Sequence, residues 1–404
     1  MTKLPPLRIA MIGTRGVPAA YGGFETAVEE IGARLAERGH DVTVYCRRTP
    51  DEQKSEWRGM HLVHAPALRI KQAETLSHSA LSVAHIGLGR SPRPDVAFVF
   101  NAANAPFVPF LHLIKVPVAV HVDGLEWMRG KWKGAGRRYY RWAEAHAVRH
   151  ADALIADAKG IADYYQDRFG AETELLSYGA PIIDQPNHAR LAELGLQPSG
   201  YHLVVARFEP ENHVDVIVEG YSHSTGMLPL IVVGSAPYAA AHTARIAAIA
   251  RADSRIRLLG GIFDQELLDQ LYANAASYLH GHSVGGTNPS LLRAMGAGTH
   301  VIAWDVGFNR EVAGAIATYF TDAASLGVRV AEAEAQPEVT FARGARLRER
   351  ARKLYDWEQV ADGYELLAVR LSNKVSRETR RPEKPEHEHQ RLEKPRLEEE
   401  VGAS

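Results

Sequence analysis

The sequence predicts an α/β fold made of two doubly wound halves, each a parallel sheet covered by helices on both faces. Three observations predict it. Residues 8–46 read strand, glycine turn, helix, strand, which is a parallel βαβ unit. The same alternation continues to residue 180 and restarts at residue 201, after a break carrying Pro181, Pro186 and Pro198. The chain has 404 residues, 46% of them hydrophobic, which is enough for two cores.

The first strand starts at Arg8 and runs into Gly13-Thr-Arg-Gly16. Gly22-Gly23-Phe24-Glu25 opens an amphipathic helix to Arg38; Gly39-His40 closes it and Asp41–Cys46 is the next strand. Strands follow near Leu62 and at Val96–Phe100, Val118–His121, Ala153–Ala156 and Glu174–Leu176, with helical patterns between them, including Tyr139–Arg149. In the second half, strands at Tyr201–Ala206, Leu230–Val233, Arg255–Leu259, Ala276–His280 and His300–Trp304 alternate with helices at Val214–Ser222, Gln265–Asn274 and Pro289–Gly296. Trp357 begins a late helix to Ser372. From Lys374 onward eight Lys/Arg face eight Asp/Glu, a neutral stretch too polar to pack, so a disordered tail is expected. The division is a first Rossmann-like domain over 1–180, a linker over 181–200, a second Rossmann-like domain over 201–356, the helix at 357–372 and the tail at 373–404.

A net charge of −1 gives no global basic field, so nucleic acid is not the expected partner. The single cysteine, Cys46, cannot form an internal disulfide. Met1–Arg8 is too short and polar for a signal peptide. The longest apolar stretch, 96–120, is broken by Pro106, Pro109, Lys115 and Pro117, short of a membrane span. A cytoplasmic protein is expected, one able to lie on the inner face of a membrane. Trp127–Trp142 interleaves aromatics with six Lys/Arg. It suits an anionic membrane surface, or else it is a solvated helix face with its tryptophans in the core.

Ligands of open α/β sheets bind at the carboxyl ends of the strands. Gly22 and Gly23 precede a helix, where backbone N–H groups and the helix dipole favour an anion, unless the glycines serve only a tight turn. Arg207 follows a strand end and can clamp a diphosphate or pair with Glu209 or Glu211. Ser283, Gly285, Gly286, Thr287 and Asn288 form a polar, glycine-rich loop ahead of a helix that starts with Pro289, an arrangement suited to phosphate. His121, Asp123 and Glu126 follow another strand end and can orient a sugar or move protons. The chain contains no Asp-x-Asp pair, so no metal site and no cofactor are expected, and charge on a leaving diphosphate falls to arginine and backbone dipoles. A nicotinamide cofactor is disfavoured because the first turn is not Gly-x-Gly-x-x-Gly.

Three segments resemble the GT-B glycosyltransferases of family 4, and more closely the rhamnosyltransferase-like subset with an uncharacterised conserved N-terminal domain. They are Ile12–Thr26, Val122–Trp127 and His280–Leu292. The resemblance covers residues 8–370. It implies two domains facing across a cleft, and a retaining, metal-independent transfer of rhamnose or another hexose. The donor is a nucleotide sugar and the acceptor a glycan or lipid-linked molecule of surface polysaccharide synthesis. It places Gly22 and Gly23 against the diphosphate or acceptor, His121 near the transferred sugar and Arg207 on the diphosphate. The Gly285–Leu292 loop, which includes Leu291, covers the sugar and phosphates. It also implies a lysine at Asn212 and glutamates at Gly285 and Arg293, which this chain lacks. Arg293 either binds phosphate directly or marks a chain with weakened catalysis. The competing reading is therefore a GT-B relative that acts as a binding or partner protein.

Overall fold

A computed structural model describes residues 5–19, 22–48, 54–68, 73–90, 92–122, 125–130, 132–184, 187–235 and 240–379. The first sheet contains β1 (Arg8–Ile12), β2 (Asp41–Arg47), β3 (Glu56–Trp57), β4 (Met60–Ala65), β5 (Val96–Phe100), β6 (Val118–Val122), β7 (Ala153–Ala156) and β8 (Glu174–Leu175). Its helices are α1 (Gly23–Glu37), α2 (Glu74–Gly87), α3 (Val108–Leu113), α4 (Ala135–His150) and α5 (Lys159–Phe169). The second sheet contains β9 (His202–Val205), β10 (Leu230–Val233), β11 (Ile256–Gly260), β12 (Ser277–His280), β13 (His300–Trp304) and β14 (Thr318–Phe320). It is covered by α6 (Val214–Ser222), α7 (Ala240–Ala252), α8 (Gln265–Ala273), α9 (Pro289–Gly296), α10 (Gly307–Ala313), α11 (Ala323–Ala335) and α12 (Pro337–Leu354), and α13 (Trp357–Thr379) follows.

The strand orders are β3-β4-β2-β1-β5-β6-β7-β8 and β11-β10-β9-β12-β13-β14. All pairings are parallel except the short β3–β4 hairpin. This is the expected α/β, GT-B architecture. Strands such as Val96–Phe100 and Leu230–Val233 are apolar and buried along their whole length, because helices cover both faces of each sheet. Each sheet winds outward in both directions from one pair of strands. The order reverses between β1 and β5 in the first and between β9 and β12 in the second. Those two switch points are where an open sheet leaves a crevice at its carboxyl edge.

The halves share one continuous core cluster, which includes Met11 and Phe98 of the first sheet, Tyr201 and Tyr278 of the second, and Tyr178 and Trp357. Helix α13 packs on α1 of the first half. Arg38 pairs with Glu358, Asp362 and Glu365 at 3.0, 2.8 and 2.7 Å, and Tyr364 lies edge-on to Phe98 at 5.1 Å. The helix runs to Thr379, so residues 373–379 are helical where the sequence pattern predicts the start of a disordered tail. No proline interrupts the chain there before Pro382. The rest of that expected tail, residues 380–404, lies outside the described residues.

Because Tyr364 is 1% exposed and fills the seam between α13 and the first sheet, Tyr364→Ala is expected to cost about 3–5 kcal/mol of stability, measured by denaturant unfolding.

Candidate active site

At the switch point of the second sheet, β9 ends at Val205 and the chain turns outward through Arg207, whose side chain is exposed. The turn is held from beneath. The Asn212 side chain, 2% exposed, donates to the Arg207 carbonyl at 2.8 Å. Asn212 thus builds the backbone that presents Arg207. The neighbouring loop after β12 is stitched to the same segment, since the amide and the hydroxyl of Ser283 both donate to the Glu211 carbonyl at 3.0 Å. His213 donates from Nδ1 to the Gly281 carbonyl at 2.8 Å and stacks on Trp304 at 3.8 Å. Gly285 (φ +136°) and Gly286 then lead into α9.

The amino end of α9 is finished by Asn288, whose side chain accepts from the Ser290 amide and hydroxyl at 3.0 and 2.7 Å. Its side chain is thereby committed to the cap. Thr287 donates from its hydroxyl to the Asp157 carbonyl at 2.6 Å, a contact between the two halves. A Cβ on Gly286 would sit 2.1 Å from the Asp157 carboxylate, so only glycine lets the loop approach the first half this closely. The Leu291 side chain is fully buried in the core.

Arg293 is engaged within its own half. Its guanidinium donates to Asp269 at 2.8 Å and to the side chain and carbonyl of Gln265 at 2.7 and 3.1 Å, and lies over the Tyr272 ring. Its charge is directed at α8, away from the Gly285–Thr287 turn it follows.

In the first half, the loop after β1 is secured by two carboxylates of α1. Glu25 accepts from the Arg15 amide at 3.1 Å and Glu29 from the Ala19 amide at 2.6 Å. Gly23 brings the start of α1 against the start of α9; a Cβ there would meet the Pro289 ring at 3.1 Å. Gly22 (φ +116°) supplies the backbone turn before it. His121, at the end of β6, is fully buried between the rings of Phe100 and Tyr178, with Phe24 edge-on at 5.1 Å. Neither ring nitrogen has a hydrogen-bond partner among the described residues. Burial pushes its pKa down to about 3. His121 is thus a neutral imidazole able to exchange hydrogen bonds with a hydroxyl, not a standing imidazolium.

Glu126 is buried and its carboxylate is spent on two neighbours, pairing with Arg129 at 2.5 Å and accepting from Trp132 at 3.0 Å. It aims Arg129, which reaches within 3.9 Å of the Cβ position of Gly285 in the opposite half. Arg129 stood in the sequence only as part of a basic run; the Glu-x-x-Arg spacing was its signal. His282 reports the same meeting of charges. Burial first, then His280, Arg129, Arg207 and His213, push its pKa well below the ordinary value. Asp123, the remaining expected site residue, lies outside the described residues.

Residues 7–181 match the model of a domain of unknown function, DUF1972, and residues 200–333 match that of the glycosyl transferases group 1. The chain is 24% identical over 393 residues to the alpha-maltose-1-phosphate synthase of Mycolicibacterium smegmatis, across 88% of this chain and 97% of that one. Among solved structures it resembles a sucrose-phosphate synthase from Thermosynechococcus elongatus, with TM-score 0.77 and 20% identity over 91% of this chain and 100% of that chain. It also resembles Anabaena HepE in complex with UDP and glucose, with TM-score 0.72 and 15% identity over 91% and 100%.

Burial holds the pKa of His78 down to about 4 and those of His121, His280 and His300 to about 3, with His282 also low. Glu144 moves the opposite way, raised by burial to about 7. Between pH 6.5 and 4.5 the unfolded chain binds protons at those five histidines that the folded chain refuses, while the folded chain keeps one at Glu144 that the unfolded chain gives up. The histidines outnumber the glutamate, so the melting temperature is expected to fall as pH drops through this window, as calorimetry at a series of pH values would record.

Proposed function

We propose that this pairing of a DUF1972 domain with a glycosyl transferases group 1 domain is a glycosyltransferase. It moves a sugar, rhamnose or another hexose, from a nucleoside-diphosphate donor to a glycan or lipid-linked acceptor in surface polysaccharide synthesis. The observation that carries this reading is the meeting of cations at the two facing switch points. Arg207 extends from the second half, Arg129 comes across from the first to Gly285, and α1 and α9 bring their positive ends together at Gly23 and Pro289. The ligand that fits is a diphosphate. The complex of HepE with UDP and glucose supports a donor of that class.

In this reading the diphosphate lies along the Gly285–Thr287 turn, between Arg207 and Arg129. As the bond from the anomeric carbon to the phosphate oxygen breaks, negative charge grows on that oxygen. The arginines and the amides of the turn stabilise it without a metal. The acceptor hydroxyl attacks from the same face of the sugar, and its proton passes to the leaving phosphate, so configuration is retained. Gly22 and Gly23 set the amino end of α1 against the diphosphate or acceptor. Neutral His121 holds a hydroxyl of the transferred sugar and does not titrate near neutrality. Glu126 keeps Arg129 aimed.

A surface beside the cleft suits a lipid-linked acceptor at a membrane. Phe110 and Leu113 of α3 and Trp142 of α4 are exposed, with Lys115, Lys133, Arg137, Arg138 and Arg141 exposed around them. Trp127 and Trp132 are turned inward, against Arg141 and Glu126. One exposed tryptophan within a basic rim is the pattern of a peripheral contact with anionic lipid. No helix among the described residues is long and apolar enough to cross a membrane.

Arg207→Ala is expected to lower kcat by about 10²–10³ while changing KM for the donor less, as for loss of one preorganised charge at a leaving group. Unchanged turnover would remove Arg207 from this role. For the surface, sedimentation with anionic vesicles is expected at low salt and to fade above about 0.15 M as the charges are screened. Arg137→Glu with Arg138→Glu should abolish it without altering turnover of a water-soluble acceptor.

A further inference from the structure

Helix α5 begins without a cap of its own. Its N-cap residue is Ala158, which offers no side-chain acceptor. The amides of Lys159 and Gly160 donate instead to Glu311 of the opposite half, at 2.6 and 3.1 Å, one to each carboxylate oxygen. A carboxylate placed there satisfies two orphan donors and meets the positive end of the helix dipole. Glu311 is fixed in turn. It lies on α10, whose carboxyl-end carbonyls at Glu311 and Val312 accept from Arg350 of α12 at 2.9 and 2.8 Å. Phe308, one turn earlier on α10, packs against Gly160, where a Cβ would meet its ring at 2.9 Å.

The residues gripped in this way adjoin Asp157, which carries another contact between the halves. Its carbonyl accepts from Thr287 and its carboxylate lies against Gly286. The second half therefore holds residues 157–160 of the first at two points. One point is the cap from α10, and the other is the turn that receives the diphosphate in the reading above. Any slip of α5 relative to α10 moves Asp157, and with it the Gly286–Thr287 turn.

We propose that Glu311 is a positioning residue that clasps α5 across the cleft and so sets the closed register of the two halves. The clasp rests on the transferase reading only for its kinetic consequence; the contact itself can be tested without any substrate.

The experiment compares wild-type full-length protein with Glu311→Ala, Glu311→Gln and Phe308→Ala. Amide exchange at Lys159 and Gly160 should speed up by about tenfold or more in Glu311→Ala, because those amides lose their acceptor. The radius of gyration by small-angle scattering should rise. Glu311→Gln, which keeps one carbonyl acceptor, should fall between wild type and Glu311→Ala. With a turnover assay in hand, kcat should fall about 10- to 100-fold while the affinity for a nucleoside diphosphate changes less than about twofold, since the turn is misplaced but intact. A folded Glu311→Ala with unchanged exchange at both amides and unchanged scattering overturns the clasp. So does a variant that loses thermal stability while keeping wild-type kcat, which marks a purely structural cap. Should Glu311→Ala fail to fold, Glu311→Gln and Phe308→Ala carry the same readings. Should wild type transfer no sugar, the exchange and scattering results still decide the clasp, and only the function proposed above fails.

Discussion

Everything at the cleft depends on one electrostatic constraint, the close approach of two helix amino ends. Parallel strands deliver the following helices amino end first at the carboxyl edge of each sheet. Two such sheets set edge to edge bring α1 and α9 together at Gly23 and Pro289. Like partial charges then face one another, with Arg207 and Arg129 added beside them. The protein answers part of that charge itself. Glu25 sits at the start of α1, Glu126 pairs with Arg129, and Asp157 lies against Gly286. In the proposed function a dianionic diphosphate supplies the remaining negative charge.

The histidines obey the same constraint from the apolar side. His121 is sealed between aromatic rings, and His282 stacks on His280 at 4.5 Å within reach of two arginines. A further positive charge in either place would oppose both burial and the neighbouring cations. Both rings are held neutral and silent as acids near neutrality. In the proposed mechanism, proton transfer then falls to the reacting groups.

Much of the fold is legible in sequence because its strands are buried on both faces. Val96–Phe100, Val118–Val122 and Leu230–Val233 are short apolar runs between turn signals, and helix α9 announces itself through Asn288-Pro289. The two-residue β3 and the three-residue β14 are too short to show a period and exist only because a neighbour offers an edge. In the site, local chemistry identifies the loops but not the direction of their side chains. Arg293 turns to Asp269 and Gln265, 24 and 28 residues away. Asn288 looks like a loop residue yet caps α9. Arg129 and Glu311 act across the cleft, on partners more than 150 residues away in the chain, a relation no local pattern encodes.

The central claim is that this cleft receives a nucleoside-diphosphate sugar and breaks its glycosidic bond to phosphate. The direct measurement is release of nucleoside diphosphate from a panel of nucleotide sugars, followed by phosphorus NMR, with proton NMR of the sugar product. The expected result is consumption of a nucleotide sugar, with release of its nucleoside diphosphate and retention of anomeric configuration. Folded protein that neither binds nor consumes any of the panel would contradict it.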